Sequence, residues 1–186
     1  MNETHTIYII LSMSGTKFSR LLRLFSHLEF THVSLSLVDD LSTMYSFGRR
    51  RLRMPWIAGF VEEHPDVGVF GAYNPDCEVL ALQVSAENYN KIVEDIKFAK
   101  EHYNSFKYNY PALFFTYFNR PMSLKNKFTC TQYVAYLLNN SRSVEFDKDV
   151  SLVIPSDYYK LPASSVYKGK MHNFTSKCMS AKGVRL

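Results

Sequence analysis

Apolar and polar residues alternate in several short stretches of the chain, and this alternation has the period of a half-buried β-strand. The clearest case is residues 31–38, THVSLSLV, in which Val33, Leu35 and Leu37 alternate with polar residues. Similar alternation, or a short apolar run, predicts further strands at residues 6–11, 43–47, 78–84 and 164–168.

Helical spacing predicts the remaining elements. A helix over residues 85–103 has Ser85 as its N-cap and apolar residues that recur every three to four positions. Another helix begins near Thr16, a third begins near Cys130, and a short helical turn covers residues 157–160. Because strands and helices mix without a regular βαβ repeat, the sequence predicts an α+β fold.

No linker, repeat or low-complexity tract divides the 186 residues, so residues 1–186 are predicted to form one domain. Residues 48–76 hold a basic run, the single Trp and several Pro and Gly residues with little periodicity. They are therefore predicted to form a long loop excursion. Residues 169–186 are predicted to form a C-terminal tail.

The composition is that of a folded globular protein, with 46% hydrophobic residues. No apolar run approaches the ~18 residues of a membrane-spanning helix, and the N-terminus lacks the basic start and cleavage site of a signal peptide. Three cysteines without paired spacing favour a reducing compartment. These features predict a cytoplasmic location, and the net charge of +5 leaves open an anionic partner.

The segment FTCTQYVAYLL, residues 128–138, carries the sharpest chemical signal. Thr129 and Gln132 have the T-x-x-Q spacing of a capping box, which places Cys130 at the first position of a helix. Free backbone N–H groups and the helix dipole favour a thiolate there and supply donors for an oxyanion. Cys130 is therefore a candidate nucleophile. The alternative is a core cysteine, because Cys130 also begins an apolar stripe at helical spacing.

His32 is the candidate base. It lies on the face of its strand opposite the large aliphatic side chains, so it points away from the filled core. A neutral imidazole within reach of a thiol accepts the thiol proton. The alternative is a histidine on a solvated strand face. The other five histidines, together with Cys77 and Cys178, have no comparable context.

A strand with His, followed much later by a helix that opens with Cys, resembles the permuted NlpC-type papain-like hydrolases. The matching motifs are H-V-S-L at 32–35 and C-T-Q-Y-V at 130–134, where C-S-x-F-V is common in that group. Connecting portions of small bacterial YiiX-like members are similar to YSFGRR (45–50), AGFVEE (58–63) and Y-N-Y (108–110). The resemblance spans residues 5–168. It implies a circularly permuted papain-like fold, with an antiparallel sheet packed against helices.

The family implies a third polar residue that orients the histidine from the strand after the His strand. In this chain that strand is residues 43–47, and Ser46 is its nearest polar candidate. Family members more often carry His, Asn, Gln or an acid at this place. Glu62 or Glu63, in the loop beyond, would supply a carboxylate instead, so the third role stays open at this stage.

The resemblance implies a thiol hydrolase or acyl-transfer enzyme. Cys130 attacks an amide, ester or thioester carbonyl of a small molecule, peptide or lipid, and His32 is the base. No cofactor is implied, and no metal site is predicted because no Cys/His pair has ligand spacing. The alternative is a non-catalytic binding module that keeps the fold and binds an anionic lipid or peptide.

The basic run GRRRLRMPW, residues 48–56, is the densest group of cations in the chain. It favours a weak contact with an anionic surface or forms a solvated loop. Nucleic acid is not the favoured partner, because no recognised binding motif accompanies the arginines. The side chains concerned are Arg49, Arg50, Arg51 and Arg53.

Overall fold

The computed structural model describes residues 3–13, 29–52, 54 and 56–174. The strands in these ranges are β1 (Thr4–Ser12), β2 (His32–Ser36), β3 (Met44–Arg49), β4 (Ala58–Glu63), β5 (Asp76–Ser85), β6 (Lys107–Tyr108), β7 (Lys127–Phe128) and β8 (Ser164–Lys170). The helices are α1 (Gly68–Tyr73), α2 (Ala86–Glu101), α3 (Tyr110–Tyr117) and α4 (Cys130–Asn140). Short 3-10 turns cover Tyr103–Ser105, Val150–Leu152 and Pro155–Lys160.

The described strands form one eight-stranded sheet with the order β7-β6-β4-β3-β2-β1-β5-β8. The fold is α+β, as the sequence predicts. The sheet is mixed rather than antiparallel, because β6 and β7 pair in parallel while the other described pairs are antiparallel. The reason is that α3 lies between β6 and β7 in the chain, and such a crossover returns the second strand in the direction of the first.

Apolar residues cover both faces of the sheet. On one face, Val33 and Leu35 of β2 join the larger core, together with side chains from α2 and α4. On the other face, a smaller cluster includes Met44 of β3 and Phe70 of α1. The polar side of β2 is therefore also enclosed, and Ser34 lies fully buried there.

The helix predicted from residue 85 is confirmed: the Ser85 side chain accepts a hydrogen bond from the backbone N–H of Asn88. The excursion predicted for residues 48–76 is wrong, because this range contains β4 and α1. The sequence does not predict strand β4, because its first four residues are all buried and apolar and polar residues do not alternate there. The predicted tail begins inside β8, which runs to Lys170.

The helix predicted near Thr16 lies outside the described residues, as does the tail beyond residue 174. The assignment of residues 1–186 to one domain stays a prediction. Within the ranges that the structure describes, no helix has the length and apolarity that crossing a membrane requires.

Candidate active site

The first turn of α4 carries Cys130 and is fixed by the predicted capping box. The Thr129 side chain accepts a hydrogen bond from the backbone N–H of Gln132, at 3.2 Å. In return, Oε1 of Gln132 accepts one from the backbone N–H of Thr129, at 3.0 Å. Cys130 is the first residue of the helix and is 5% exposed. Its sulfur therefore lies among the backbone N–H groups that a helix start leaves free.

Buried polar side chains tie this helix start to its surroundings. Nε2 of Gln132 donates to the carbonyl oxygen of Ser151 at 3.0 Å, and Nδ2 of Asn109 donates to Oε1 of Gln132 at 3.5 Å. The hydroxyl of Tyr158, a fully buried residue, donates to the carbonyl oxygen of Thr131 at 2.8 Å. Because each of these groups is buried and bonded, the position of Cys130 is set by more than its own helix.

His32 begins β2 and meets a carboxylate from β4. Its Nε2 lies 2.9 and 3.0 Å from the two carboxylate oxygens of Glu63. The Ser34 hydroxyl donates to Oε2 of the same carboxylate at 2.5 Å. The His32 and Glu63 side chains are 12% and 13% exposed, so the ion pair is shielded from most of the solvent.

Gly48 of β3 leaves the space in which the imidazole and the carboxylate meet. A Cβ at this position would lie 3.3 Å from Oε1 of Glu63 and 3.7 Å from Cε1 of His32. The first of these contacts is tighter than ordinary van der Waals packing. A residue with a side chain at position 48 would therefore push the carboxylate away from the ring.

The sulfur of Cys130 lies 4.0 Å from the carbonyl oxygen of Thr31, the residue before His32, and the His32 side chain acts on the pKa of the thiol by hydrogen bonding and by charge. Because Nε2 is held by Glu63, Nδ1 is the ring nitrogen left for the sulfur. Burial alone raises the pKa of the Cys130 thiol, but the hydrogen bond and the charge of His32 outweigh burial and bring that pKa below its ordinary value. Backbone N–H groups of Val33 and Thr131 add to this lowering of the pKa.

The pKa of His32 shifts in the opposite direction. Burial lowers it, but the Glu63 carboxylate and the hydrogen bond to Cys130 more than offset burial and hold the pKa of His32 well above its ordinary value. A lowered thiol pKa and a raised imidazole pKa favour the thiolate–imidazolium form of the pair. That form is the reactive state of a nucleophilic cysteine.

Sequence reasoning did not identify Tyr108 as a neighbour of Cys130. Strand β6 pairs Tyr108 with Phe128, two residues before Cys130, so the Tyr108 side chain neighbours Cys130 and the two groups act on each other's pKa. Burial and the neighbouring Cys130 raise the pKa of Tyr108 well above its ordinary value, so the hydroxyl stays protonated and able to donate. Tyr108 belongs to the Y-N-Y element at 108–110, which the resemblance treats only as a connecting portion.

The three sequence candidates for the orienting residue are placed differently. Ser46 does not meet the imidazole: its hydroxyl donates to the carbonyl oxygen of Val33 at 2.6 Å and braces β3 against β2. Ser46 does not orient the imidazole, because its short side chain is hydrogen-bonded to the backbone of the adjacent strand. Glu63 has the reach to cross to the ring, and Glu62 points elsewhere, to Lys100 at 3.0 Å.

The predicted anionic contact of the arginines is not supported at Arg50. Its guanidinium donates to the carbonyl oxygens of Tyr103 at 2.5 Å and Phe106 at 2.8 Å. It also lies over the Tyr103 ring, 3.6 Å from the centroid. Arg50 therefore acts as an internal brace. Arg51 is exposed, and Arg53 lies outside the described residues.

The other thiols do not share this environment. Cys77 is fully buried in the smaller core cluster, and burial raises the pKa of its thiol to about 12. Cys178 lies outside the described residues. Among the described residues, no group of three or more His, Cys, Asp or Glu side chains is arranged to hold a metal ion.

No family model matches this chain, and neither does any curated protein or solved structure.

Proposed function

We propose that this protein is a cysteine-nucleophile hydrolase or acyl-transfer enzyme with a permuted papain-like fold. Cys130 is the nucleophile, His32 is the base and Glu63 orients the imidazole. The observation that carries the proposal is the position of His32 between the thiol of Cys130 and the carboxylate of Glu63. A buried thiol with a partly exposed imidazole and carboxylate matches the arrangement of nucleophile, base and orienting group that activates a thiol.

The order of the elements supports the permuted fold. The histidine opens strand β2, and the cysteine opens helix α4 much later in the chain. This order is the one that distinguishes the permuted members of the papain-like group from the ordinary ones.

The proposed reaction begins with attack of the Cys130 thiolate on an amide, ester or thioester carbonyl. Backbone N–H groups at the start of α4 and the hydroxyl of the neighbouring Tyr108 donate to the oxyanion that forms on the carbonyl oxygen. His32 transfers its proton to the leaving group, and an acyl-enzyme remains. Water or another acceptor then attacks the acyl carbon, loses its proton to His32 and releases Cys130.

The test is the pH dependence of iodoacetamide alkylation at Cys130, followed by peptide mass spectrometry. The native chain is expected to react with an apparent thiol pKa below the ~8.5 of a free cysteine. The His32→Ala variant is expected to lose this low-pH reactivity. Cys77 is an internal control, because its raised pKa leaves it unreactive in the folded chain. A native Cys130 that reacts only after unfolding would overturn the proposal.

The second candidate is a non-catalytic binding module that keeps the same fold. The observation in its favour is the small exposure of the reactive groups, with Cys130 at 5%. Incubation with p-nitrophenyl acetate separates the two. An enzyme accumulates a Cys130 acetyl adduct or releases p-nitrophenol continuously, whereas a binding module gives neither, even when its thiol is alkylated normally.

A further inference from the structure

Helix α3 presents an aromatic stripe to the outside. Tyr110, Phe114, Tyr117 and Phe118 follow the i, i+4, i+7, i+8 spacing of a helix face that normally packs in a core. Here Phe114 is 64% exposed, Tyr117 66% and Phe118 53%. The rings of Phe114 and Phe118 lie 4.7 Å apart, centre to centre, and those of Tyr117 and Phe118 lie 5.3 Å apart. The three side chains therefore form one contiguous cluster, which we call the α3 aromatic cluster.

The opposite side of α3 is fixed to the protein. Ala112 is fully buried, and its backbone N–H donates to the Asn109 side chain. The Thr116 hydroxyl donates to the carbonyl oxygen of Ser151 at 3.3 Å. Because this side is anchored, the helix keeps its aromatic stripe facing outwards. Contiguous exposed apolar surface of this kind marks an interaction site.

Exposed cations follow the α3 aromatic cluster in the chain. Residues 102–144 contain no Asp or Glu. Within this acid-free stretch, Arg120 comes three residues after the end of α3, Lys125 lies just before β7 and Lys127 is the first residue of β7; all three are exposed. This stretch therefore combines exposed aromatic rings with positive charge, and it contains no acidic residue.

We propose that the α3 aromatic cluster, with Arg120, Lys125 and Lys127, docks on the headgroup region of an anionic phospholipid bilayer. Aromatic rings, tyrosine above all, are favoured at the boundary between acyl chains and water. Cations beside them attract acidic headgroups. Charge complementarity selects this occupant over a second copy, because a symmetric dimer would bring the same cations of both copies together.

The docking surface leads to the candidate active site. The Tyr110 ring, at the start of α3, lies 4.8 Å from that of Tyr108, and β-pairing places Tyr108 beside Phe128, two residues before Cys130. Lipid ester or amide groups of a bilayer held by α3 are therefore the substrates we propose for Cys130. This consequence for the substrate rests on the proposed function, whereas binding to the bilayer does not.

The experiment measures co-sedimentation of the full chain with two kinds of vesicle, phosphatidylcholine alone and phosphatidylcholine mixed with phosphatidylglycerol. Binding is expected to the mixed vesicles, and at least about tenfold weaker binding to the neutral ones. The Phe114→Ser/Tyr117→Ser double variant and the Arg120→Glu/Lys125→Glu double variant are each expected to weaken binding to the mixed vesicles about tenfold or more. Raising the salt concentration is expected to weaken it as well.

Two variants are matched controls. Phe98→Ser removes a ring that is also 53% exposed but lies on α2 with Glu94 and Glu101 one turn away, and it is expected to bind like the native chain. Cys130→Ser is expected to bind normally too, so a failure of the proposed chemistry does not affect this result. Circular dichroism of each variant shows whether it is folded.

Three outcomes would overturn the proposal. The first is absence of binding to the mixed vesicles by the folded native chain. The second is a dimer in solution without vesicles that becomes a monomer in the Phe114→Ser/Tyr117→Ser variant, which would assign the surface to a second copy. The third is loss of vesicle binding in Phe98→Ser to the same extent as in Phe114→Ser/Tyr117→Ser.

Discussion

Glu63 holds one ring nitrogen of His32 with both of its carboxylate oxygens, at 2.9 and 3.0 Å from Nε2. The carboxylate is itself held by the Ser34 hydroxyl. The negative charge therefore stays beside the imidazole, and it is a main reason why the pKa of His32 is raised despite burial. The protonated imidazole in turn stabilises the Cys130 thiolate, so the charge of Glu63 acts on the sulfur through His32.

The first prediction concerns the effect of the Glu63 charge on the Cys130 thiol. Glu63→Gln removes the charge and keeps the shape of the side chain, so the pKa of His32 falls and the pKa of the Cys130 thiol rises. Alkylation of Cys130 rises with pH through the thiol pKa, and the rise is expected to move to higher pH. A shift of one pH unit makes alkylation about tenfold slower at pH 6. The measurement is the pH profile of iodoacetamide alkylation.

Ser46→Ala is the matched control for Glu63→Gln. It removes a hydroxyl that bonds to the carbonyl oxygen of Val33 and not to the imidazole. Its alkylation profile is expected to overlay that of the native chain, while its stability falls by about 1 kcal/mol. A shift of the profile in Ser46→Ala, with none in Glu63→Gln, would reverse the assignment of the orienting residue.

The second prediction separates activation of the Cys130 thiol from stabilisation of the oxyanion. Alkylation by iodoacetamide forms no oxyanion, whereas attack on p-nitrophenyl acetate does. Tyr108→Phe is therefore expected to slow acetylation of Cys130 by about a hundredfold, the effect of removing one oxyanion donor. Its alkylation is expected to change far less. Equal losses in both reactions would make Tyr108 a residue that only positions or shields the sulfur.

The third prediction compares two fully buried tyrosines. The hydroxyl of Tyr133 is buried and has no hydrogen-bond partner within the described part of the chain, whereas that of Tyr158 donates to the carbonyl oxygen of Thr131. Tyr133→Phe is expected to raise the free energy of unfolding by about 1 kcal/mol, because a desolvated hydroxyl is removed. Tyr158→Phe is expected to lower it by about 1–2 kcal/mol. Urea denaturation measures both, and changes of the same sign would contradict the comparison.

The fourth prediction concerns the basic run. Arg50→Ala is expected to destabilise the fold by about 2–3 kcal/mol, because charged hydrogen bonds to backbone carbonyls are lost and the contact with the Tyr103 ring goes with them. Arg51→Ala, at an exposed neighbouring position, is expected to stay within about 0.5 kcal/mol of the native chain. Thermal unfolding of the two variants checks this. Equal stability of the two variants would mean that Arg50 is an ordinary surface cation.

The parts of the site that sequence could predict are local in the chain. Thr129 and Gln132 are three positions apart, so their capping box is readable from spacing alone, and it is confirmed. The strand of His32 is readable because one of its faces is apolar and the other polar. Strand β4 was not readable. It is buried on both faces, and its Gly59 is required because a Cβ there would overlap the carbonyl oxygen of Phe106.

The choice between Ser46 and Glu63 depended on information that the sequence does not carry. Both residues follow the His strand, and chemistry alone permits either. The register that pairs β3 with β4, and the absence of a side chain at Gly48, bring the longer Glu63 to the ring. Tyr108 was missed for a similar reason, since its place beside Cys130 results from the pairing of β6 with β7. Spacing in the chain encodes neither pairing.

Thr31, whose carbonyl oxygen lies 4.0 Å from the sulfur of Cys130, is 99 positions away from it in the chain. Contacts between such distant segments form only when a long loop closes, which makes them late events in folding. Until then the sulfur lacks His32 as a neighbour and reacts as an ordinary thiol. The activation proposed for Cys130 is thus absent during synthesis and after unfolding, so alkylation of this thiol at low pH reports completed folding.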